Sequence, residues 1–447
     1  MTRHAVVLGA GIAGLAAATT LAARHDRVTV VDRDTAPTGP TARDGVPQGR
    51  HIHLLVPGGL QRLESLLPDI ADDLAAAGAG IIPAPEWRFH MGGGRVAARD
   101  PSLRITGATR PLLEQVVRDR VRALERVDLL QGWSARDLVT TDDRATVTGV
   151  RLQSEADPAQ ERHLDADLVV DATGRGSAAP RWLADLGYTP PTEERLSVGV
   201  HYTTRLFDRD PADLGGARNV LVDIPPGQRR GGVALAVEGD RWLVTLMGML
   251  GERPPADLEG FAAYAGSLWV DDLHRIVDGA TPVSEPARHA FPAFAWNRYD
   301  RLDRMPGSFA VLGDAVCSFD PRFGQGMAVG IAEAIALGEV LDAHGPATVG
   351  PRLAEASLPV VQDAWDLSSG AVLAHPEVEG PRPLAWKATT AYLQHVLPVA
   401  HRDPEVADAL IRVIGLVDRP QALMHPRTMW RVLSGSLGRD AAPSAAA

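Results

Sequence analysis

Residues 5–32 read AVVLGAGIAGLAAATTLAARHDRVTVVD, and this stretch decides the fold. An apolar strand over 5–8 runs into Gly9-x-Gly11-x-x-Gly14. An alanine-rich helix follows to about residue 23, and a second strand over 28–31 ends on Asp32. This is the βαβ order that a dinucleotide fold needs. Gly9 permits the turn after the strand, Gly11 lets backbone approach a pyrophosphate, and Gly14 lets the helix pack closely on the sheet. The helix start offers free N–H groups and the positive end of its dipole to phosphates, and Asp32 offers acceptors to an adenosine ribose. The apolar run behind Arg3 and His4 also has the outline of a signal peptide, but its glycines and the strand after it are better explained by the nucleotide motif. By itself the motif does not separate NAD from FAD.

Working outward, the chain has 447 residues, too many for one ordinary core, so two or three domains that share segments are expected. A net charge of -11 without a basic stripe argues against nucleic acid as a partner. The single cysteine, Cys317, rules out an intrachain disulfide and fits a reducing cytoplasm. No other stretch has the length and apolarity of a membrane span, and no metal-ligand spacing occurs.

A second motif separates the two cofactors. Gly313-Asp314-Ala315 ends a strand some 300 residues later, and Pro321-Arg322-Phe323-Gly324-Gln325-Gly326-Met327 opens a small-residue helix over about 326–341. A cofactor longer than one βαβ unit needs such a second anchor. A carboxylate at a strand end can hold ribityl hydroxyls, and a helix N-terminus can face the flavin N1–C2=O edge, where charge gathers on reduction. Arg110, opening a helix over 110–124, can neutralise a pyrophosphate bidentately. Asp171-Ala-Thr-Gly-Arg-Gly-Ser177 ends a buried strand and either supports the cofactor or guides a pyridine nucleotide.

The set GAGIAG, VVDRD, Arg110, DATGRGS, VLGDA and PRFGQGM resembles the flavoprotein hydroxylases of the para-hydroxybenzoate hydroxylase fold. More narrowly, GVPQGRHIH at 45–53, LVVDATGRGS and GDAVCSFDPRFGQGM resemble the actinobacterial FAD epoxidases of lasalocid and monensin biosynthesis. The resemblance spans nearly the whole chain and is thinnest over 180–300. It implies FAD contacts from Gly11, Ile12, Ala13, Asp32, Arg33, Arg110 and Asp314. Gly326 and Met327 would sit at the flavin pyrimidine edge, and Gln48, Arg50 and His53 in a loop near the cofactor. There are departures: Asn is usual where Asp320 stands, and Val-Tyr where Arg322-Phe323 stand. These positions border the substrate side and argue against a purely apolar polyene substrate. DATG also lacks the Asp-Gly pair of the aromatic hydroxylases.

The fold expected is α/β: a Rossmann-type FAD-binding domain from 1–75, 100–180 and 285–345, and an inserted mixed β-sheet substrate domain from 76–99 and 181–284. A C-terminal helical region over 346–437 and a disordered tail over 438–447 complete it. The function implied is monooxygenation, epoxidation or hydroxylation through a flavin C4a-hydroperoxide, on a small, secondary-metabolite substrate, free or on a carrier protein. O2 is the co-substrate, and NAD(P)H the electron donor, directly or through a separate flavin reductase. A prenyl reductase on the same fold tolerates the same FAD motifs. A halogenase needs a Trp-x-Trp-x-Ile-Pro stretch that is absent, and its catalytic lysine has no counterpart beyond Lys387 in the C-terminal helices. A protein that binds the dinucleotide without catalysis is opposed by two complete anchors. No catalytic base is assigned: His53 reads as a hydrogen-bonding group and Cys317 as small packing. The loop Asp320, Pro321, Arg322 and Phe323 holds the substrate-side candidates, with Trp87, Phe89, Met91, Trp242, Leu246 and Met249 as pocket candidates.

Overall fold

The computed structural model describes residues 3–37, 39–43 and 47–437. The tail expected over 438–447, and Gly45 and Val46 of the 45–53 loop, lie outside the described residues. Five parallel strands form the central sheet in the order Phe309–Val311, Leu168–Asp171, His4–Leu8, Arg27–Asp32, Val127–Gln131. Strands buried on both faces read as continuous apolar runs, as VVL and LVV do here. One face carries the helices Ile12–Ala22, Arg110–Arg122 and Gly326–His344. The other is covered by the antiparallel sheet of Trp133–Thr140, Val147–Ser154 and Glu161–Asp165, with Trp182 packed between. The molecule therefore has a Rossmann-like parallel layer joined to mixed sheets.

The second large sheet has eight strands. From one edge they run Cys317–Ser318, Ala287–Asn297, Glu193–Asp208, Arg241–Gly248, Arg230–Val237, Asn219–Val222, Trp87–Met91 and Gly94–Arg95. Asn219–Val222 and Trp87–Met91 pair in parallel, which makes the sheet mixed. The hairpins expected around Gly92-Gly93 and Glu238-Gly-Asp240 form as read, with positive φ at Gly92, Gly93, Gly239 and Asp240. Side chains alternate across this sheet. Trp242, Val244 and Leu246 pack on the helices Leu258–Gly266 and Asp272–Gly279. Leu243, Met247 and Met249 take the opposite, inner face.

Some elements differ from the sequence reading. The helix expected over 59–77 is two, Pro57–Leu66 and Ile70–Ala76, because Pro68 forces Leu67 out of the helical region to φ -126, ψ 84. The stretch 138–152 is a hairpin turning through Arg144 at φ 59. The C-terminal prolines do not all break helices: Pro359 lies inside Val349–Leu373 and Pro398 inside Leu384–Ala400. Among the described residues no helix is long and apolar enough to cross a membrane.

Candidate FAD and substrate site

At the nucleotide end the three glycines have three different surroundings. A Cβ on Gly14 would lie 1.9 Å from the Gly9 carbonyl oxygen, and one on Gly9, at φ +98, would lie 2.5 Å from the oxygen of Ala172. A Cβ on Gly11 would meet nothing within 4 Å. The helix is thus pressed onto the strand ends, while open space remains above its first turn, where Gly11 is the N-cap. That cradle suits a diphosphate.

Asp32 accepts hydrogen bonds from the Ala10 amide at 2.6 Å and the Asp34 amide at 2.8 Å. Its carboxylate also faces Arg43 at 3.2 Å. The guanidinium of Arg43 reaches Asp34 at 3.3 Å and Glu114 at 3.1 Å as well. Glu114 in turn takes Arg110 at 2.7 Å, so the fork expected to face a pyrophosphate is committed to a carboxylate one turn along its own helix. Burial alone would raise the Glu114 carboxyl, but the Arg110 and Arg43 charges outweigh it and hold it below the usual range. The sequence reading missed both partners. Glu114 had a signal, the i,i+4 spacing from Arg110; Arg43, in a Pro/Gly-rich loop, had none. Arg33 is exposed.

At the flavin end the turn Gly313-Asp314 rests on the first helix. A Cβ on Gly313 would lie 3.0 Å from Ala13 Cβ, and one on Gly330 would lie 2.7 Å from the same atom. Small residues thereby bring the N-terminal turns of Ile12–Ala22 and Gly326–His344 side by side, although roughly 300 residues separate them in sequence. Asp314 is half-buried and has no hydrogen-bond partner among the described residues. Burial pushes its carboxyl up, while the Arg110 and Arg175 charges pull it down. Its Oδ1 lies 3.4 Å from where a Gly326 Cβ would be. Gly324, at φ +65, closes against the Leu54 carbonyl, and Gln325 donates to the Ile414 oxygen at 2.9 Å. Met327 is half-buried and packs against the core beneath that helix. An open cradle at one end, an unpartnered carboxylate at the other and two converging helix N-termini fit FAD.

The loop between them is fastened by His51, which the sequence reading passed over. Its Nδ1 shares a 2.7 Å hydrogen bond with Thr204 Oγ1, which shares another of 2.7 Å with Thr245 Oγ1. His53 Nδ1 lies 3.0 Å from the His51 oxygen. Burial lowers His51 to about 4, helped by His289 and Arg50, and lowers His53 to about 3, helped by Arg110. Both rings are neutral at pH 7. Gln48 is half-buried and Arg50 exposed on the same loop.

Asp320 and Arg322 form a bidentate pair of 2.6–3.0 Å with side chains 0% and 9% exposed. They compensate each other. Pro321 is exposed and Phe323 half-buried beside them. Arg322 also points Nη1 at Met249 Sδ, 3.6 Å away, so this loop meets the inner face of the eight-stranded sheet. Close by, the Tyr202 hydroxyl and Asp223 Oδ1 are buried without a partner among the described residues. Burial and the Asp320 charge push the Tyr202 phenol up, and burial pushes Asp223 up to about 6. Of the pocket candidates, Met249 faces this site. Trp242 and Leu246 lie on the far face, and Trp87, Phe89 and Met91 pack toward the C-terminal helices. Cys317 is buried and its thiol is pushed up by burial, then by Glu333.

A family model of FAD dependent oxidoreductases matches residues 5–242, more than half of the chain. The chain belongs to that family and is a flavoprotein enzyme. Within it, the chain is 35% identical over 431 residues to Protein Rv3254 of Mycobacterium tuberculosis, covering 93% of this chain and 90% of that protein. Among solved structures it is similar to Pseudomonas aeruginosa PqsL in complex with 2-aminobenzoylacetate. That match has a TM-score of 0.63 and 19% identity, over 84% of this chain and 97% of PqsL. It is also similar to the flavin-dependent brominase Bmp2, with a TM-score of 0.66 and 14% identity, over 98% of this chain and all of Bmp2. At those identities the two structures establish the fold alone.

Proposed function

We propose that this enzyme is an FAD-dependent monooxygenase that places one oxygen atom of O2 on a small organic substrate, by epoxidation or hydroxylation, in secondary metabolism. The ADP half of FAD would lie over Gly9, Gly11, Ile12, Ala13 and Gly14, with Asp32 and Arg33 at the ribose and Arg110 at the pyrophosphate. Gly313 and Asp314 would hold the ribityl chain. Gly324, Gly326 and Met327 would border the pyrimidine edge, with Gln48, Arg50 and His53 beside it. Reduced FAD, charged by NAD(P)H directly or through a separate reductase, supplies the electrons that activate O2.

The observation that carries the reading is the contact of the Asp320–Phe323 loop with Met249. It sets the flavin-edge helix against a sheet face built of Val200, Met247, Met249 and Phe294. Such a face excludes water, which an oxygen-transferring site requires. The two neutral imidazoles offer no strong base, which favours alkene oxidation over phenolate chemistry. The self-compensated Asp320–Arg322 pair, with Tyr202 and Asp223 near it, supports a substrate bearing a polar group rather than a bare hydrocarbon. PqsL, described as a probable FAD-dependent monooxygenase, agrees with this reading. A halogenase reading, suggested by Bmp2, is disfavoured by Lys387, which is exposed on the helix Leu384–Ala400.

The test is rapid mixing of the chemically reduced enzyme with O2, with and without polyene and phenolic substrates, and with bromide in a parallel arm. A transient absorbance that decays faster with one substrate and yields a product one oxygen heavier supports the proposal. Direct reoxidation with every substrate, or a brominated product, overturns it.

A further inference from the structure

Glu333 lies on the buried face of the helix Gly326–His344 and is 1% exposed. Its Oε2 accepts a 2.7 Å hydrogen bond from the Gly313 amide. That amide belongs to the turn that presents Asp314, a turn already pressed on its other side against Ala13. Gly313 sits at φ +69, so the turn is a conformation that must be held.

Among the described residues nothing cationic pairs with Glu333. The helix Ile12–Ala22 carries no ionisable side chain. On Pro57–Leu66, Arg62 is taken by the Leu416 oxygen and Glu64 by Arg104. On Val349–Leu373, Arg352 pairs with Glu355, Asp363 with Arg419, and Asp366 with Gln362. On its own helix, Asp342 pairs with Arg24. The ionisable groups that act on its surroundings are Asp314 and Cys317, with Arg298 and Glu194 beyond the thiol. Burial, reinforced by the Asp314 charge, pushes the Glu333 carboxyl up to about 8.

We propose that Glu333 is a positioning residue that fixes the Gly313-Asp314 turn for FAD, and that its charge state sets how tightly FAD is held there. The inference rests on the placement of FAD against Asp314. With Glu333 neutral, Asp314 alone brings negative charge to the turn. Ionising Glu333 sets a second carboxylate beside it, and FAD would bring the negative charge of its diphosphate to the same site, so binding favours the protonated form. The sign follows: a carboxyl whose affinity for its proton is higher in the FAD complex makes binding weaken as pH rises through and above its free value.

The experiment is FAD dissociation on dilution of the holoenzyme, read by flavin fluorescence from about pH 6.5 to about pH 9.5. It compares wild type, Glu333→Gln, Glu333→Leu and Asp314→Ala. Wild-type affinity should be flat near neutrality and fall by up to about tenfold per pH unit above about pH 8. Glu333→Gln keeps an acceptor for Gly313 and cannot ionise, so it should match wild type near pH 7 and stay flat. Glu333→Leu should bind FAD about tenfold more weakly throughout. A Glu333→Gln profile that tracks wild type overturns the inference, as does wild-type affinity in a folded Glu333→Leu; if the leucine variant does not fold, the glutamine profile decides. Unchanged retention in Asp314→Ala overturns the FAD placement itself. Weakened retention there, with Glu333→Gln tracking wild type, removes only the role of Glu333.

Discussion

The two ends of the proposed cofactor site are built on opposite electrostatic plans. At the nucleotide end, Asp32, Asp34 and Glu114 are stitched together by Arg43 and Arg110, every charge answered by another within 3.3 Å. At the flavin end, Asp314 has no hydrogen-bond partner among the described residues, and Glu333 answers an amide rather than a cation. The first plan gives rigidity before any ligand arrives. The second leaves capacity for a ligand to fill, which is where binding energy can be spent. A site that must grip one end of a long molecule and place the other end for chemistry gains from both.

Four perturbations can break or sharpen this contrast. The largest effect belongs to Gly14→Val: with only 1.9 Å between a new Cβ and the Gly9 oxygen, stability should fall by about 3 kcal/mol or more and FAD be lost. Thermal unfolding and flavin content read it out, and a stable yellow variant would show that the helix can lift. Next, Glu114→Ala leaves Arg110 without its carboxylate and takes one of three from Arg43, in a buried position, and should cost about 3 kcal/mol. A cost within about 0.5 kcal/mol in chemical denaturation would mean the network is ornamental.

Third is acid. His51 is held near 4 in the folded protein but takes up a proton near 6.5 when unfolded. Its neutral state therefore adds stability that is intact above pH 6.5 and declines as pH falls toward 4, by up to about 1.4 kcal/mol per pH unit. His51→Gln should flatten that part of the stability curve; an unchanged slope assigns acid sensitivity elsewhere. Smallest is Thr204→Val, which removes the link between His51 and Thr245 and should cost about 1 kcal/mol. A shift in the flavin spectrum of this variant would show that the link also tunes the loop near the cofactor.

What could be read from residues alone followed the range of the interactions. The βαβ opening, the hairpin turns at Gly92 and Gly239 and the Gly313-Asp314 anchor are local patterns, and the chain displays them as such. The Arg43–Glu114 link, His51, Tyr202 and Asp223 owe their roles to partners about 70 to 150 positions away or to the stacking of the sheet on the loop, and no spacing announces that. Glu333 left a trace that went unused: it is the lone carboxylate in the first two turns of an otherwise apolar helix, GMAVGIAEAIALG. The alternation along 241–249 was legible, but which face meets the 320–323 loop was not, because that depends on where the helices of 258–279 dock.

The contact of Ala13 with Gly313 and Gly330 also sets a schedule for making the enzyme. The first phosphate-binding turn leaves the ribosome early, yet its flavin-side wall is encoded roughly 300 residues later, together with Phe309–Val311, the edge strand of the parallel sheet. At about 5–20 residues per second the nascent chain waits on the order of 15–60 s with half a cradle and an open sheet edge. On the proposed placement, capture of FAD waits until residues past 330 of the 447 have been made. Yellow colour would then mark a chain in which the turn at 9–14 and the wall at 313–330 had met.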